Sequence, residues 1–120
     1  MAKRILIIED EEVLADTLKR KLQNAGFEVE KAPDGEIAIQ MISKNKYNLF
    51  LLDLILPNIT GFDVLQYILS RKVKVPVIVL SNLGQKEDLE KVAELGVKDY
   101  FVKTSISLSE VVKKVKQKLS

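Results

Sequence analysis

Short segments, of which 5–8, 49–52 and 77–80 are wholly apolar, alternate along the chain with longer segments in which apolar residues recur every three or four positions. Continuous apolar runs, such as residues 5–8 and 49–52, are typical of strands buried on both faces. The longer segments have the spacing of helices that cover a core. The pattern predicts five strands, at 5–8, 27–32, 49–52, 77–80 and 98–102, and five helices, at 12–25, 34–44, 61–71, 86–95 and after a capping box at 107–110.

This strict alternation predicts an α/β fold with a parallel sheet and helices on both faces, because each parallel connection needs a crossover. For five strands we adopt the order 2-1-3-4-5 of the flavodoxin-like class. No repeat, linker or low-complexity stretch interrupts the pattern, and 120 residues fit one domain. We therefore expect a single domain over residues 1–120 with no output domain.

Composition narrows the chemistry available to this domain. The chain has no cysteine and no histidine, which excludes disulfides, zinc sites and thiol or imidazole catalysis. Nineteen basic against 17 acidic residues give +2, so charge does not indicate direct nucleic-acid binding. The apolar run near the N-terminus is too short for a signal peptide or a membrane span. We expect no membrane partner and a cytoplasmic location.

Charged and hydroxyl side chains follow the predicted strands at their carboxyl ends. Glu9 and Asp10 come after the first strand, Asp53 after the third, Ser81 after the fourth and Lys103 late in the fifth. Ligands of such sheets bind at this edge. Three carboxylates brought together repel one another unless a cation or proton neutralises them, and oxygen-only ligands suit Mg²⁺. Taken alone, Glu9 or Ser81 is better explained by a helix cap or a solvated turn.

The set as a whole predicts a site for phosphoryl transfer. A carboxylate can attack phosphorus while a metal ion and an ammonium group neutralise the charge on the transferred oxygens. A hydroxyl such as that of Ser81 could donate a hydrogen bond to a phosphoryl oxygen.

Four motifs in order carry a resemblance to a known family. They are the acidic run 9–11 after the first strand, Asp53 in Leu-Asp-Leu-Ile-Leu-Pro (52–57) with Gly61 following, the strand 78–81, and Asp-Tyr-Phe-Val-Lys (99–103). Over its whole length the chain resembles receiver domains of two-component response regulators, including the chemotaxis receivers. This resemblance implies that Asp53 accepts a phosphoryl group, and that Glu9, Asp10, Asp53 and the backbone carbonyl of Ile55 surround Mg²⁺.

The same resemblance implies roles for three further side chains and for partners. Lys103 and Ser81 would contact the phosphoryl group, and Tyr100 would swing inward when Ser81 moves. A half-buried aromatic at the sheet edge is the plain alternative for Tyr100. The partners would be a sensor histidine kinase or phosphotransfer protein and a downstream protein target, with a homodimer also compatible. The domain would assist the transfer of the phosphoryl group to itself and also the slow hydrolysis of that group. It would not be an enzyme for an external substrate.

Three positions depart from the usual family pattern. Thr104 follows Lys103 where proline is usual, Asn82 follows Ser81 where a small residue is usual, and Glu9 stands in place of aspartate. The family's proline usually holds a cis peptide, which before threonine would cost about 3–4 kcal/mol. We therefore predict a trans Lys103–Thr104 bond.

Ile55 and Leu83 lie two residues after the acceptor and the switch hydroxyl. In the family, side chains at these positions flank the approach of water to the aspartyl phosphate. Neither apolar side chain can orient a water molecule, which predicts a long-lived phosphoryl group.

Two rival functions differ in class from a phosphoacceptor. One is a binding module of the same fold that accepts no phosphoryl group. Against it, the chain has the aspartate and the lysine that a phosphoacceptor needs. An enzyme is the other, but aspartyl-phosphate hydrolases of the dehalogenase type need a carboxylate where Ile55 stands. A flavin- or dinucleotide-binding function would need a glycine-rich loop after the first strand, which is missing.

Overall fold

The computed structural model describes residues 2–71, 74–82 and 86–120. The strands are β1 (Arg4–Ile8), β2 (Glu28–Ala32), β3 (Leu49–Leu52), β4 (Val77–Ser81) and β5 (Asp99–Val102). The helices are α1 (Glu12–Asn24), α2 (Gly35–Lys44), α3 (Gly61–Ser70), α4 (Lys86–Glu94) and α5 (Leu108–Leu119), with a 3₁₀ turn at Lys103–Ser105. The predicted elements are all present, with ends that differ by at most one residue. Within the described ranges, the 3₁₀ turn is the element that the sequence did not predict.

The five strands form one parallel sheet in the order β2-β1-β3-β4-β5, which confirms the predicted fold class. Ile8, the last residue of β1, pairs with Leu52, the last residue of β3. The chain therefore leaves these two neighbouring strands at the same level. Ser81 pairs with Val102, so β4 and β5 also end together.

Both faces of the sheet are covered, which is why the central strands β1, β3 and β4 are almost continuously apolar. The edge strands β2 and β5 also carry charged residues. One face packs on α1 and α5, through Ile5, Ile7, Leu51 and Leu80 of the strands, Leu18 and Leu22 of α1, and Val111 and Val115 of α5. The other face packs on α2 and α3, through Leu6, Ile8, Phe50 and Leu52 of the strands, Ala38 and Ile42 of α2, and Val64, Leu65 and Ile68 of α3. A smaller cluster of Leu54, Val79 and Val92 joins α4 to the sheet.

Local signals fix the ends of the helices. Ser107 and Glu110 form the predicted capping box of α5. A second capping box, formed by Thr60 and Asp63, begins α3. Among the described residues, no helix is long and apolar enough to cross a bilayer. The Lys103–Thr104 bond is trans, as predicted, since the described residues contain no cis peptide bond.

The start of α3 lies directly against the loop that follows β3. The Gly61 N–H donates to the carbonyl oxygen of Leu54 over 2.9 Å. A Cβ atom at Gly61 would lie 2.2 Å from the carbonyl oxygen of Asp53 and 2.4 Å from Cα of Leu54. Only glycine fits so close an approach of two backbones, so Gly61 helps to set the position of the loop after Asp53.

Candidate functional site

The carboxyl edge of the sheet brings together the five polar residues that the strand ends predicted. Glu9 follows β1 and Asp53 follows β3, and they are 5% and 4% exposed, while Asp10 is exposed. Ser81, at the end of β4, is fully buried. Lys103 opens the 3₁₀ turn after β5, and its side chain is 9% exposed.

Both carboxylate oxygens of Asp53 accept hydrogen bonds from the protein. Oδ1 accepts from the Ser81 hydroxyl over 2.8 Å and from the backbone N–H of Ile55 over 3.0 Å. Oδ2 accepts from the Lys103 ammonium over 2.8 Å. Three donors from three separate segments thus hold the side chain of Asp53 in one orientation.

Glu9 is held in a similar way. Its Oε1 lies 2.7 Å from the Lys103 ammonium, and its Oε2 accepts from the backbone N–H of Glu11 over 3.0 Å. Burial raises the pKa of Glu9 to about 7, although the hydrogen bond from Lys103 opposes that rise. Burial alone would lower the pKa of Lys103, but its hydrogen bonds to Asp53 and Glu9 together raise it. Lys103 therefore remains an ammonium ion at neutral pH.

Three carboxylates in this site are close enough to share a metal ion. Glu9, Asp10 and Asp53 each offer an oxygen atom, and these atoms lie within 4.8 Å of one another. Within the described ranges no other group of three acidic residues does so. An oxygen-only donor set with one exposed member fits Mg²⁺, which retains several waters.

Tyr100 lies in β5, and β4, which ends with Ser81, separates β5 from β3. Its ring packs on the cluster of Leu54, Val79 and Val92, and the residue is half-buried. Its hydroxyl is buried and has no hydrogen-bond partner among the described residues. Burial raises the pKa of this phenol, and the charges of Asp88 and Asp53 add to the rise. The ring therefore lies inward, against the helix that follows β4.

Sequence reasoning missed one contact of Lys103. Oε1 of Glu11 lies 3.7 Å from the ammonium, which makes Glu11 a third acidic neighbour. The only sequence signal was the continuation of the acidic run beyond Asp10. Of the two side chains expected to flank the acceptor, that of Ile55 is half-exposed, and Leu83 lies outside the described residues.

Comparisons with known proteins agree with this geometry. The family model of the response regulator receiver domain matches residues 5–116. The regulatory protein VanRc of Enterococcus gallinarum is 42% identical over 99% of this chain and 51% of its own length. The alkaline phosphatase synthesis transcriptional regulatory protein PhoP of Bacillus subtilis is 35% identical over 86% of this chain and 43% of its own. The chain thus spans about half the length of the curated relatives it matches.

Solved structures extend the likeness. A CheY-like receiver domain from Methanospirillum hungatei superposes with a TM-score of 0.93 at 27% identity, covering 99% of this chain and 94% of its own. The response regulator TrrA of Thermotoga maritima, in complex with Mg(2+)-BeF, gives a TM-score of 0.83 at 31% identity, covering 97% and 98%.

These matches decide against the hydrolase alternative, because receiver domains are signalling domains and not classical enzymes. The chain belongs to the response-regulator receiver domain family, the phosphoacceptor domains of two-component systems.

Proposed function

We propose that Asp53 is the phosphoacceptor of this receiver domain, that Mg²⁺ assists the transfer, and that the phosphoryl group changes a partner-binding face. The observation that carries this proposal is the environment of Asp53. It is a buried carboxylate fixed by Ser81, by the N–H of Ile55 and by Lys103, with Glu9 and Asp10 beside it.

In the proposed reaction an oxygen lone pair of Asp53 attacks phosphorus. The bond from phosphorus to the donor breaks, and its electron pair leaves with the donor group, which is the imidazole nitrogen of a sensor histidine kinase or of a phosphotransfer protein. Lys103 then balances the charge on the phosphoryl oxygens, and the Ser81 hydroxyl turns from Asp53 Oδ1 to donate to one of them.

The residues present fit a magnesium site. Glu9, Asp10 and Asp53, with the backbone carbonyl of Ile55, would hold the ion, and when bound it would neutralise charge on the transferred group. The Mg(2+)-BeF complex of the related TrrA supports this assignment. Glu9 contributes only in its charged form, so its raised pKa couples metal binding to pH.

The proposed output begins at Ser81. When its hydroxyl moves to the phosphoryl group, the segment after β4 and the inward Tyr100 would shift together and alter the face formed by α4, β5 and α5. We propose that a downstream protein target, or a second copy of the domain, reads this face, and that the domain over residues 1–120 does not bind nucleic acid directly. Relatives are named as transcriptional regulators, which favours a target in gene control.

The first prediction concerns the acceptor. Incubation with Mg²⁺ and a small-molecule phosphoryl donor should add one phosphoryl group to the parent, measured by intact-protein mass spectrometry, and Asp53→Asn should abolish the addition. Asp16→Asn, which removes a carboxylate paired with Lys31 on the surface, is the control and should react normally. Normal labelling of Asp53→Asn would show that the acceptor lies elsewhere.

The same labelled protein tests how long the signal lasts. General acid–base assistance is typically worth about 10²–10⁴-fold, and the side chain of Ile55 supplies none. After donor removal we expect slow autodephosphorylation in magnesium buffer and faster loss from Ile55→Asn. Rapid loss from the parent, equal to that from the variant, would contradict this.

The second prediction concerns pH. The pKa of Glu9 is raised in the folded state from 4.5 to about 7, so the folded domain binds the extra proton. In metal-free buffer the contribution of Glu9 to the unfolding free energy should therefore be greatest below pH 4.5 and be lost as pH rises through about 7. Added Mg²⁺ should restore stability above that pH.

Comparing the parent with Glu9→Gln isolates this contribution. The unfolding free energy of each is measured with denaturant between pH 4 and 8, a range of about four units that spans the shift in pKa. The parent should lose stability relative to Glu9→Gln across the window, whereas Glu12→Gln, exposed in the first turn of α1, should run parallel to the parent. A constant difference between parent and Glu9→Gln would refute the shift.

The third prediction concerns the switch. Ser81→Ala should still accept phosphoryl, but the ring resonances of Tyr100 should no longer change on phosphorylation, since the hydroxyl that links the two is missing. NMR of the parent and the variant, each with and without donor, provides the measurement. A variant in which Tyr100 responds as in the parent would exclude Ser81 as the switch.

A further inference from the structure

Lys103 has a third acidic neighbour to which the proposed phosphotransfer gives no task. Its Nζ atom lies 2.7 Å from Glu9 and 2.8 Å from Asp53, but 3.7 Å from Oε1 of Glu11. The side chains of Glu9 and Asp53 are each 4% exposed, whereas that of Glu11 is 56% exposed. The third contact is thus a longer one, made to a side chain that reaches into solvent.

The two closer partners have other tasks once the domain works as proposed. Glu9 and Asp53 then serve as metal ligands, and Asp53 also becomes an acyl phosphate. The ammonium would face a divalent cation across shared carboxylates, and like charges repel strongly where water is excluded. Among the described residues, Glu11 is the remaining carboxylate within 4.0 Å of the ammonium, and it can offset that repulsion.

The position of Glu11 suits this task. Its backbone N–H donates to Oε2 of Glu9, which fixes its main chain beside the site. It precedes α1, yet its side chain makes no capping hydrogen bond that would hold it elsewhere. Glu11 and Lys103 also line the same cavity, of about 290 Å³, together with Leu14 and Ile106. Glu11 and Lys103 therefore border the same open space.

We propose that Glu11 is a positioning residue for Lys103, holding the ammonium beside Asp53 while Glu9 and Asp53 serve as metal ligands. The inference rests on the proposed function. Glu11 touches neither the transferred group nor the attacking oxygen, and it acts only through Lys103. With Glu11 present, the site can hold a metal ion and a charged Lys103 at the same time.

A double-mutant cycle on Mg²⁺ affinity, measured by titration calorimetry, tests this role. Glu11→Gln is combined with Lys103→Met, and Glu12→Gln is the matched control for the loss of one negative charge nearby. We expect Glu11→Gln to weaken Mg²⁺ binding roughly two- to fivefold more than Glu12→Gln does, which is the range of an exposed ion pair. This excess should vanish in the Lys103→Met background.

A second measurement does not depend on the folding of Lys103→Met. The Nζ resonance of Lys103, followed by NMR during a Mg²⁺ titration, should stay that of an ion-paired ammonium in the parent and in Glu11→Asp. In Glu11→Gln it should move toward that of a solvated lysine as metal binds.

The role of Glu11 would be overturned if Glu11→Gln and Glu12→Gln weakened Mg²⁺ binding equally, or if the excess effect of Glu11→Gln persisted in the Lys103→Met background. Either result would leave the proposed function standing. A parent that binds no Mg²⁺ would overturn the proposed function with it.

Discussion

Glu9 and Asp53 lie beside each other with 5% and 4% exposure, and two carboxylates so buried cannot both be charged unless a cation accompanies them. Lys103 supplies that cation, because its ammonium contacts both at 2.7 and 2.8 Å. This contact limits the rise in the pKa of Glu9 that burial causes, and it helps to fix the orientation of Asp53. In the proposed reaction Lys103 stays beside Asp53, while Mg²⁺ and the phosphoryl group join the site.

The sheet explains why the compensating residue is a lysine. The equal ends of β1 and β3 place Glu9 and Asp53 next to each other. Lys103 follows β5, which is two strands away from β3. Neighbouring strands lie about 4.8 Å apart, so the ammonium must span roughly twice that distance, and a long flexible side chain can cover it. Lys103 begins the 3₁₀ turn, and its peptide bond to Thr104 is trans.

The sequence predicted most of this arrangement, since hydrophobic period and strand ends are local properties. Alternation gave the five strands and five helices, and the residues after the strands gave Glu9, Asp10, Asp53 and Lys103 as neighbours. It did not give the third contact, at Glu11, or the raised pKa of Glu9. Those depend on side-chain direction and on burial, which arise only when separate strands are brought together. The sequence likewise did not predict that the ring of Tyr100 lies inward, because that depends on packing against α4.

The most direct test of the central compensation is the unfolding free energy of Lys103→Met in metal-free buffer at neutral pH. Removing one partner of a buried ion pair typically costs about 3–5 kcal/mol, because the other charge is left buried without a partner. We expect a loss of that order in Lys103→Met and recovery of most of it when Glu9→Gln and Asp53→Asn are added. A Lys103→Met variant as stable as the parent, or a triple variant as unstable as Lys103→Met, would contradict the account.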